Sequence, residues 1–409
     1  MTDFYKEALE LFTFSQAIRR DLHMHPELGF HEVRTSGIIS RELRELGLEV
    51  TTGIAKTGVI AMIEGSKPGP VVMLRFDIDA LPINEQTGAA YASKEAGLMH
   101  ACGHDIHMSV WAGTIHTLVA LKNEWKGTLL VIAQQAEEIS GGAGLAIETG
   151  LFTKFPKPDY ALAYHINPEL ESGKIGLVGG PVFAGVKTAE ITVYGKGGHG
   201  AYPEKCIDPI VIAARIVLDL QTIVSREISP LEPVVVTVGS IHGGTRPNII
   251  PDEVKMELTL RYYSDEVIEK VIAAIQRISR SAAEMAGMPE DKLPLVKIET
   301  GETPPLVNNQ KLSDKIRSFA SETIGEENII RTTPAMVGED FGKYGRTPEN
   351  IPICLIWLGS TSAGLFDDLK TRGEAPFPLH SPFLNPDYEK TIETGIKVMA
   401  GNVIGLMGE

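Results

Sequence analysis

The sequence predicts an α/β protein: a larger domain with a mixed, mostly parallel sheet flanked by helices, and a smaller inserted α+β domain of ferredoxin-like order. Three observations predict this. The chain has 409 residues, too many for one ordinary domain and enough for two. Up to about residue 180 it alternates short apolar runs with helical patterns, the rhythm of a sheet covered by crossover helices. Its middle third changes to a strand-helix-strand-strand-helix-strand order. With 43% hydrophobic and 22% charged residues, the chain carries enough apolar surface for a large core.

In chain order, Val33–Leu46 has helical spacing and meets Gly47, which suits a C-cap. Gly58–Ile63, Val71–Phe76, Thr128–Ala133 and Tyr160–Ala163 are short, mostly apolar and β-rich, as strands buried on both faces are. Met108–Leu121 is the clearest helix between two of them. The middle third reads as strand Ala189–Tyr194, helix Pro209–Val224 and strands Val234–Ser240 and Val254–Tyr262 about a Gly-Gly-Thr-Arg-Pro-Asn loop. Helix Asp265–Met285 and strand Leu295–Glu299 complete it. Gly179-Gly180-Pro181 and Thr303-Pro304-Pro305 are sensible hinges. After Lys311 the alternation resumes, with Ile353–Leu358 a buried strand. The expected division is a discontinuous domain of residues 1–183 and 303–409, with 184–302 inserted.

Thirty-eight basic against fifty-three acidic residues give a net charge of −15, which argues against binding a nucleic-acid backbone. No run of eighteen apolar residues would span a membrane. The first residues, MTDFYKEALELF, are acidic and amphipathic, unlike an export signal. Three cysteines (Cys102, Cys206, Cys354) are too few for a disulfide scaffold of this size. The expected compartment is the cytoplasm.

The densest set of metal-ligand types is His100-Ala-Cys-Gly-His-Asp105. One glycine separates Cys102 from His104, so both side chains can turn to one point, and thiolate with imidazole suits zinc and similar ions. Alone, such a Cys-x-His is more often a plain loop; here it opens a predicted helix, and further ligand types follow other strands. Glu137-Glu138 comes directly after an apolar strand, and adjacent residues there point in different directions. One carboxylate can bind metal while the other takes a proton from water, although an isolated Glu-Glu also fits a solvated loop. Asp79 follows the strand Val71–Phe76, where it either orients a ligand or base from behind or caps a turn. His165 ends another strand, and His380 lies in Phe-Pro-Leu-His-Ser-Pro. Gly195-Lys-Gly-Gly-His-Gly200 imitates a dinucleotide fingerprint. However, eight residues separate it from the next helix pattern, and the acid nineteen residues on, Asp219, falls inside that helix. His199 in this loop can reach out of its own domain. There is no G-x-S-x-G, H-E-x-x-H or Walker lysine.

Together these residues resemble the amidohydrolase branch of the aminoacylase/carboxypeptidase G-type metallopeptidases, which includes hippurate hydrolases, N-acyl-diaminopimelate deacetylases and auxin-conjugate hydrolases. The resemblance runs in order through Arg20-Asp-Leu-His-Met-His-Pro-Glu27, Leu74-Arg-Phe-Asp-Ile-Asp-Ala-Leu-Pro82, residues 100–105, Gln135-Ala-Glu-Glu138 and His165. It continues through Gly197-Gly-His-Gly-Ala-Tyr-Pro203, Pro247-Asn-Ile-Ile-Pro251, Gly338-Glu-Asp-Phe341 and Leu379-His-Ser-Pro382. It implies that Cys102, His104, Glu138, His165 and His380 hold two divalent ions per subunit, zinc first, with manganese, cobalt or nickel as alternatives. Cys102 stands where other branches have a bridging Asp, and Asp77 where they have a histidine ligand. Glu137 is then the general base and acid, and Asp79 the carboxylate behind the ligands. His199 stabilises the oxyanion from the partner subunit, and Asn248 holds the substrate near its carboxylate. Local departures are Ala163-Tyr-His-Ile-Asn-Pro168 for Gly-Leu-His-Val, and Gln-Gln-Ala-Glu-Glu for Gln-Pro-Ala-Glu-Glu. The implied activity is metal-dependent hydrolysis of the amide bond of N-acyl amino acids or similar small conjugates. A dipeptidase or carboxypeptidase on the same scaffold, and a non-catalytic metal-binding protein, are the alternatives. The implied partners are a small N-acyl amino acid and a second copy or more, as a homodimer or homotetramer through the inserted lid/dimerisation domain. Neither nucleic acid nor membrane is expected.

Overall fold

The structure, a computed structural model, describes residues 12–299 and 303–408; the acidic N-terminal segment up to residue 11 lies outside the described residues. The chain forms two compact units. The first contains the described residues up to Val182, Val307–Thr333 and those from Asp340 onward; the second contains Phe183–Leu306 and Pro334–Glu339.

The first unit opens with helices α1 (Phe12–Met24) and α2 (Val33–Glu45). The Glu27 carboxylate accepts the N–H groups of Arg34 and Thr35 at 3.0 and 2.8 Å, satisfying donors of the first turn of α2. The helix stops at Gly47, whose φ of +77° is the left-handed turn that glycine adopts without strain. An antiparallel hairpin follows, β1 (Val50–Ile54) and β2 (Gly58–Glu64), then β3 (Val71–Asp77). Helix α3 (His104–Ala120) begins a turn before the expected Met108. Nearly every residue from His104 to Leu118 is buried, so no polar face marks the start. Strand β4 (Thr128–Gln134), the short helix α4 (Gly142–Glu148), β5 (Tyr160–Glu171) and β6 (Ile175–Gly176) complete this stretch.

The second unit contains β7 (Gly185–Tyr194), β8 (Gly198–His199), α5 (Pro209–Thr222), β9 (Val234–Gly243), β10 (Ile249–Ile250), β11 (Glu253–Tyr262), α6 (Asp265–Met285) and β12 (Leu295–Ile298). An antiparallel sheet of order β9-β11-β7-β12 forms its base. Alternate residues of β11 are buried, the period of a sheet covered on one face. There Ile191, Met256 and Leu260 share a core with Ile212 and Ile216 of α5 and Val271 and Ile275 of α6. Asp208 caps α5 through the Ile210 N–H, and Ser264 caps α6 through the Val267 N–H. The glycine run enters β8, which pairs with β10, and Asp219 sits inside α5. A phosphate-binding turn opening directly into a helix is not formed.

Back in the first unit come α7 (Gln310–Ile324), β13 (Ile329–Ile330), β14 (Ile353–Thr361) and α8 (Tyr388–Gly408). The sheet order is β1-β2-β4-β3-β5-β14-β6-β13, with β4, β3, β5 and β14 parallel to one another, β1–β2, β2–β4 and β14–β6 antiparallel, and β6–β13 parallel. All nine residues of β14 are buried. Trp111 of α3 stacks on Phe76 of β3 with centroids 4.8 Å apart, and Gly113 lets α3 approach Ile396 of α8, where a Cβ would meet Ile396 at 2.2 Å. Among the described residues, no helix is long and apolar enough to cross a membrane. The parallel strands deliver their carboxyl ends side by side, the place where open α/β sheets collect chemistry.

Candidate metal centre

Strand β3 runs out into Asp77-Ile-Asp79, and β4 into the turn carrying Glu137 and Glu138; His165 lies on β5. Cys102 lies just before α3 and His104 starts it, joined by Gly103 at φ +78°. His380 comes from the loop before α8, whose backbone is tied in by a 2.8 Å bond from the His380 N–H to the Ala101 carbonyl.

These side chains converge. Atoms of Cys102, His104 and His165 lie within 4.8 Å of one another; so do those of Cys102, Glu138 and His380, and of His104, Glu137 and Glu138. Cys102, His104 and Glu138 are each shared by two of these sets, so the sets form one continuous cluster. His104 donates its Nδ1–H to the Asp79 carbonyl at 2.8 Å, which fixes Nε2 as the nitrogen that faces the other ligand types. That Nε2 has no hydrogen-bond partner, yet stands 3.4 Å from Asp77 Oδ2 and 3.8 Å from Glu138 Oε1. His165 repeats the pattern: Nδ1–H goes to the Ile166 carbonyl at 2.8 Å, and Nε2 faces Cys102 Sγ at 3.4 Å. His380 Nε2 stands 3.3 Å from Glu138 Oε2. Two ligands about 2.1 Å from one ion at a tetrahedral angle are roughly 3.4 Å apart, so these separations suit a metal.

The electrostatics point the same way. Burial opposes charge on His104, but Asp77, Asp79 and Glu138 outweigh it and raise its pKa to about 10, so without a cation the ring also holds a proton on Nε2, which a bound metal would displace. Burial, then Glu138 and Glu137, push the Cys102 thiol well above its usual 9.0. A buried pocket this negative favours a cation, and a bound metal ion would strip the thiol of its proton. Asp79 serves two neighbours, since its Oδ2 also accepts the Glu138 N–H at 3.0 Å.

The sequence profile of peptidase family M20/M25/M40 matches residues 73–402. The chain belongs to this family. It is 38% identical to N-acetyl-L-cysteine deacetylase of Bacillus subtilis (strain 168), over 84% of this chain and 79% of that one. It is 34% identical to N-acetyldiaminopimelate deacetylase of Lactobacillus acidophilus, over 96% of this chain and 97% of that one. A crystal structure described as a dinuclear metal-binding peptidase of the M20 family, from Bacillus subtilis, matches at a TM-score of 0.81 and 32% identity, covering 98% of this chain and 99% of that one. This M20 chain is a metal-dependent hydrolase of amide bonds.

The other two site residues expected from the sequence, His199 and Asn248, lie in the second unit of the M20 chain. Gly200 N–H donates to the Asn248 carbonyl at 2.8 Å, bringing them together. The Ala201 N–H donates to His199 Nδ1 at 3.1 Å, so a neutral ring carries its proton on Nε2, as an exposed donor. Sequence reasoning missed a buried network behind the metal-ligand types. Arg75 bonds Asp77 at 2.5 Å, Asp340 at 3.0 Å and Gln134 at 3.0 Å, and Asp340 also takes the Ala143 N–H at 2.9 Å. His107 Nε2 accepts the Ile166 N–H at 3.1 Å. Two signals were available: a lone arginine inside an apolar strand, and a histidine three residues after His104, on the same helix face.

Proposed function

We propose that this M20 hydrolase releases the acyl group of N-acyl amino acids, with Cys102, His104, Glu138, His165 and His380 holding two divalent ions and Glu137 acting as general base. The observation that carries the reading is the paired tautomer lock. His104 and His165 each direct Nδ1–H to a backbone carbonyl and turn Nε2 toward the cysteine and carboxylates, the orientation of a metal-binding imidazole. Thiolate, imidazole and carboxylate together favour zinc, with manganese, cobalt or nickel next. Bound there, two such ions would supply Lewis acidity, which would polarise the amide carbonyl and lower the pKa of a water toward ~7.

Glu137 takes the proton of the attacking water and passes it to the leaving amine. Asp79 keeps His104 and Glu138 oriented through its carbonyl and its carboxylate. His199, with its proton on Nε2, donates to the oxyanion from a partner subunit, and Asn248 holds the substrate near its carboxylate. A homodimer or homotetramer through the second unit, acting as a lid, and a cytoplasmic location belong to the same proposal. The deacetylase relatives support a small N-acetyl amino acid as substrate. The test is a panel of acetyl, benzoyl and indoleacetyl amino acids beside dipeptides, with Zn²⁺, Mn²⁺, Co²⁺ or Ni²⁺ added back. A higher kcat/KM on an N-acyl amino acid than on any dipeptide is expected. The reverse order would make the enzyme a dipeptidase.

A further inference from the structure

Ala136, immediately before the glutamate pair, has φ +53°, a left-handed conformation that a non-glycine residue adopts only at a cost. Something must hold it there. The Ala136 N–H is bonded at 2.9 Å to Oε1 of Glu32, a carboxylate with no exposure to solvent, whose other oxygen accepts the Thr57 hydroxyl at 2.6 Å. Glu32 sits just before α2, and Thr57 lies in the turn between β1 and β2. Two residues past Ala136, the Glu138 N–H is held by Asp79 Oδ2 at 3.0 Å. The segment bearing both glutamates is thus gripped by buried carboxylates at its first and third residues. Local bonds add to this: the Ser140 N–H reaches the Glu137 carbonyl at 2.7 Å, and the Gly141 N–H the Ala136 carbonyl at 3.0 Å. Gly29 leaves room for this turn, since a Cβ on it would lie 3.1 Å from Ala136 Cα.

We propose that Glu32 is a positioning residue for the reaction: by binding the Ala136 N–H it fixes the left-handed turn that aims Glu137 and Glu138. The inference rests on the reading of Glu137 as base, and Glu137→Gln is the control that separates the two. Glu32 acts as an acceptor, so the amide oxygen of glutamine, with its NH₂ turned to Thr57, serves nearly as well. In the zinc-loaded enzyme on an N-acetyl amino acid, Glu32→Ala is expected to lower kcat at least ~tenfold, with KM within about threefold, as for an interaction realised in the transition state. Glu32→Gln should stay within about threefold of wild type in kcat. A left-handed φ is free for glycine, so Ala136→Gly should recover several-fold of the lost kcat in the Glu32→Ala background and change little alone. If Glu32→Ala yields no folded protein, Thr57→Val, which frees one carboxylate oxygen, carries the test and should lower kcat with Tm retained.

Wild-type kcat in Glu32→Ala or Thr57→Val, an equal loss in Glu32→Gln and Glu32→Ala, or no recovery on adding Ala136→Gly would each overturn the proposal. Metal content, measured by elemental analysis, supplies the readout apart from turnover. It should fall in Glu32→Ala, because Glu138 shares the turn, and be restored with kcat by Ala136→Gly. A Glu137→Gln enzyme with undiminished kcat would instead sink the reading of Glu137 and leave the brace without an object.

Discussion

At Cys102 a buried thiol faces His165 Nε2 at 3.4 Å and shares its surroundings with Glu138 and His380. Cys102→Ser puts a hard hydroxyl where the site wants a soft donor, so metal and activity should be lost together while the fold persists. Elemental analysis checks this, and full metal content in the variant would remove Cys102 from the ligand set. A second prediction concerns His23, buried between Asp105 at 2.9 Å and Glu85 at 3.3 Å. Burial opposes its charge, but the two carboxylates outweigh that and raise its pKa above 6.5. A group whose folded pKa is raised contributes stability that is complete below the unfolded value and fades as pH climbs through the folded one. The Tm difference between wild type and His23→Gln should therefore be widest below pH 6.5 and narrow on the alkaline side. A difference independent of pH would assign His23 to packing alone. The ligand types at 102, 104, 138, 165 and 380 were legible because few residue types bind metal. Glu32 was not, since one acid before a helix carries no spacing signal and its partners are Thr57 and Ala136, distant in sequence.

Elements with a short apolar run or a cap were legible within a few residues: β2, β3, β4, α2, α6 and the core of β14. The start of α3 was not, because a helix buried on all sides has no amphipathic period to mark it. The length of β5 was not either, since Asn167-Pro168 interrupts its apolar pattern while the strand runs on to Glu171, with the Pro168 carbonyl taken by Thr361 Oγ1 at 2.6 Å. The junction into α3 yields a prediction of its own. Gly103 has φ +78°, and a Cβ there would lie 2.2 Å from Ile166 Cδ1. Gly103→Ala should cost roughly 1–3 kcal/mol through strain and overpacking. Metal affinity should fall as well, because Cys102 and His104 flank the displaced turn. Chemical denaturation and metal titration on one preparation test both, and unchanged metal affinity would show that the loop tolerates the shift.

For the whole molecule, the proposed homodimer makes a claim that one subunit alone cannot meet. Glu137→Gln and His199→Ala subunits, each inactive, should regain activity when mixed, because one of the two sites in a heterodimer recovers both an intact base and an intact donor. No recovery after verified subunit exchange would confine His199 to its own subunit or to no site at all. The alternation of the larger unit and the change of rhythm in the middle were legible, but the assignment of Pro334–Glu339 to the second unit was not, because six residues carry no pattern. The discontinuity of the first unit also has a consequence during synthesis. One edge of β5 is covered by β14, and 353 − 171 = 182 separates the end of the first from the start of the second. At about 5–20 residues per second a ribosome needs roughly 10–40 s to bridge that gap. Throughout it, the edge beside Ala161, Leu162 and Ala163 presents unpaired N–H and C=O groups that any other nascent strand can join. The intervening unit has its whole sheet and both helices by then, so the half that carries most of the metal-ligand types is the one that waits, and the one a chaperone would have to guard.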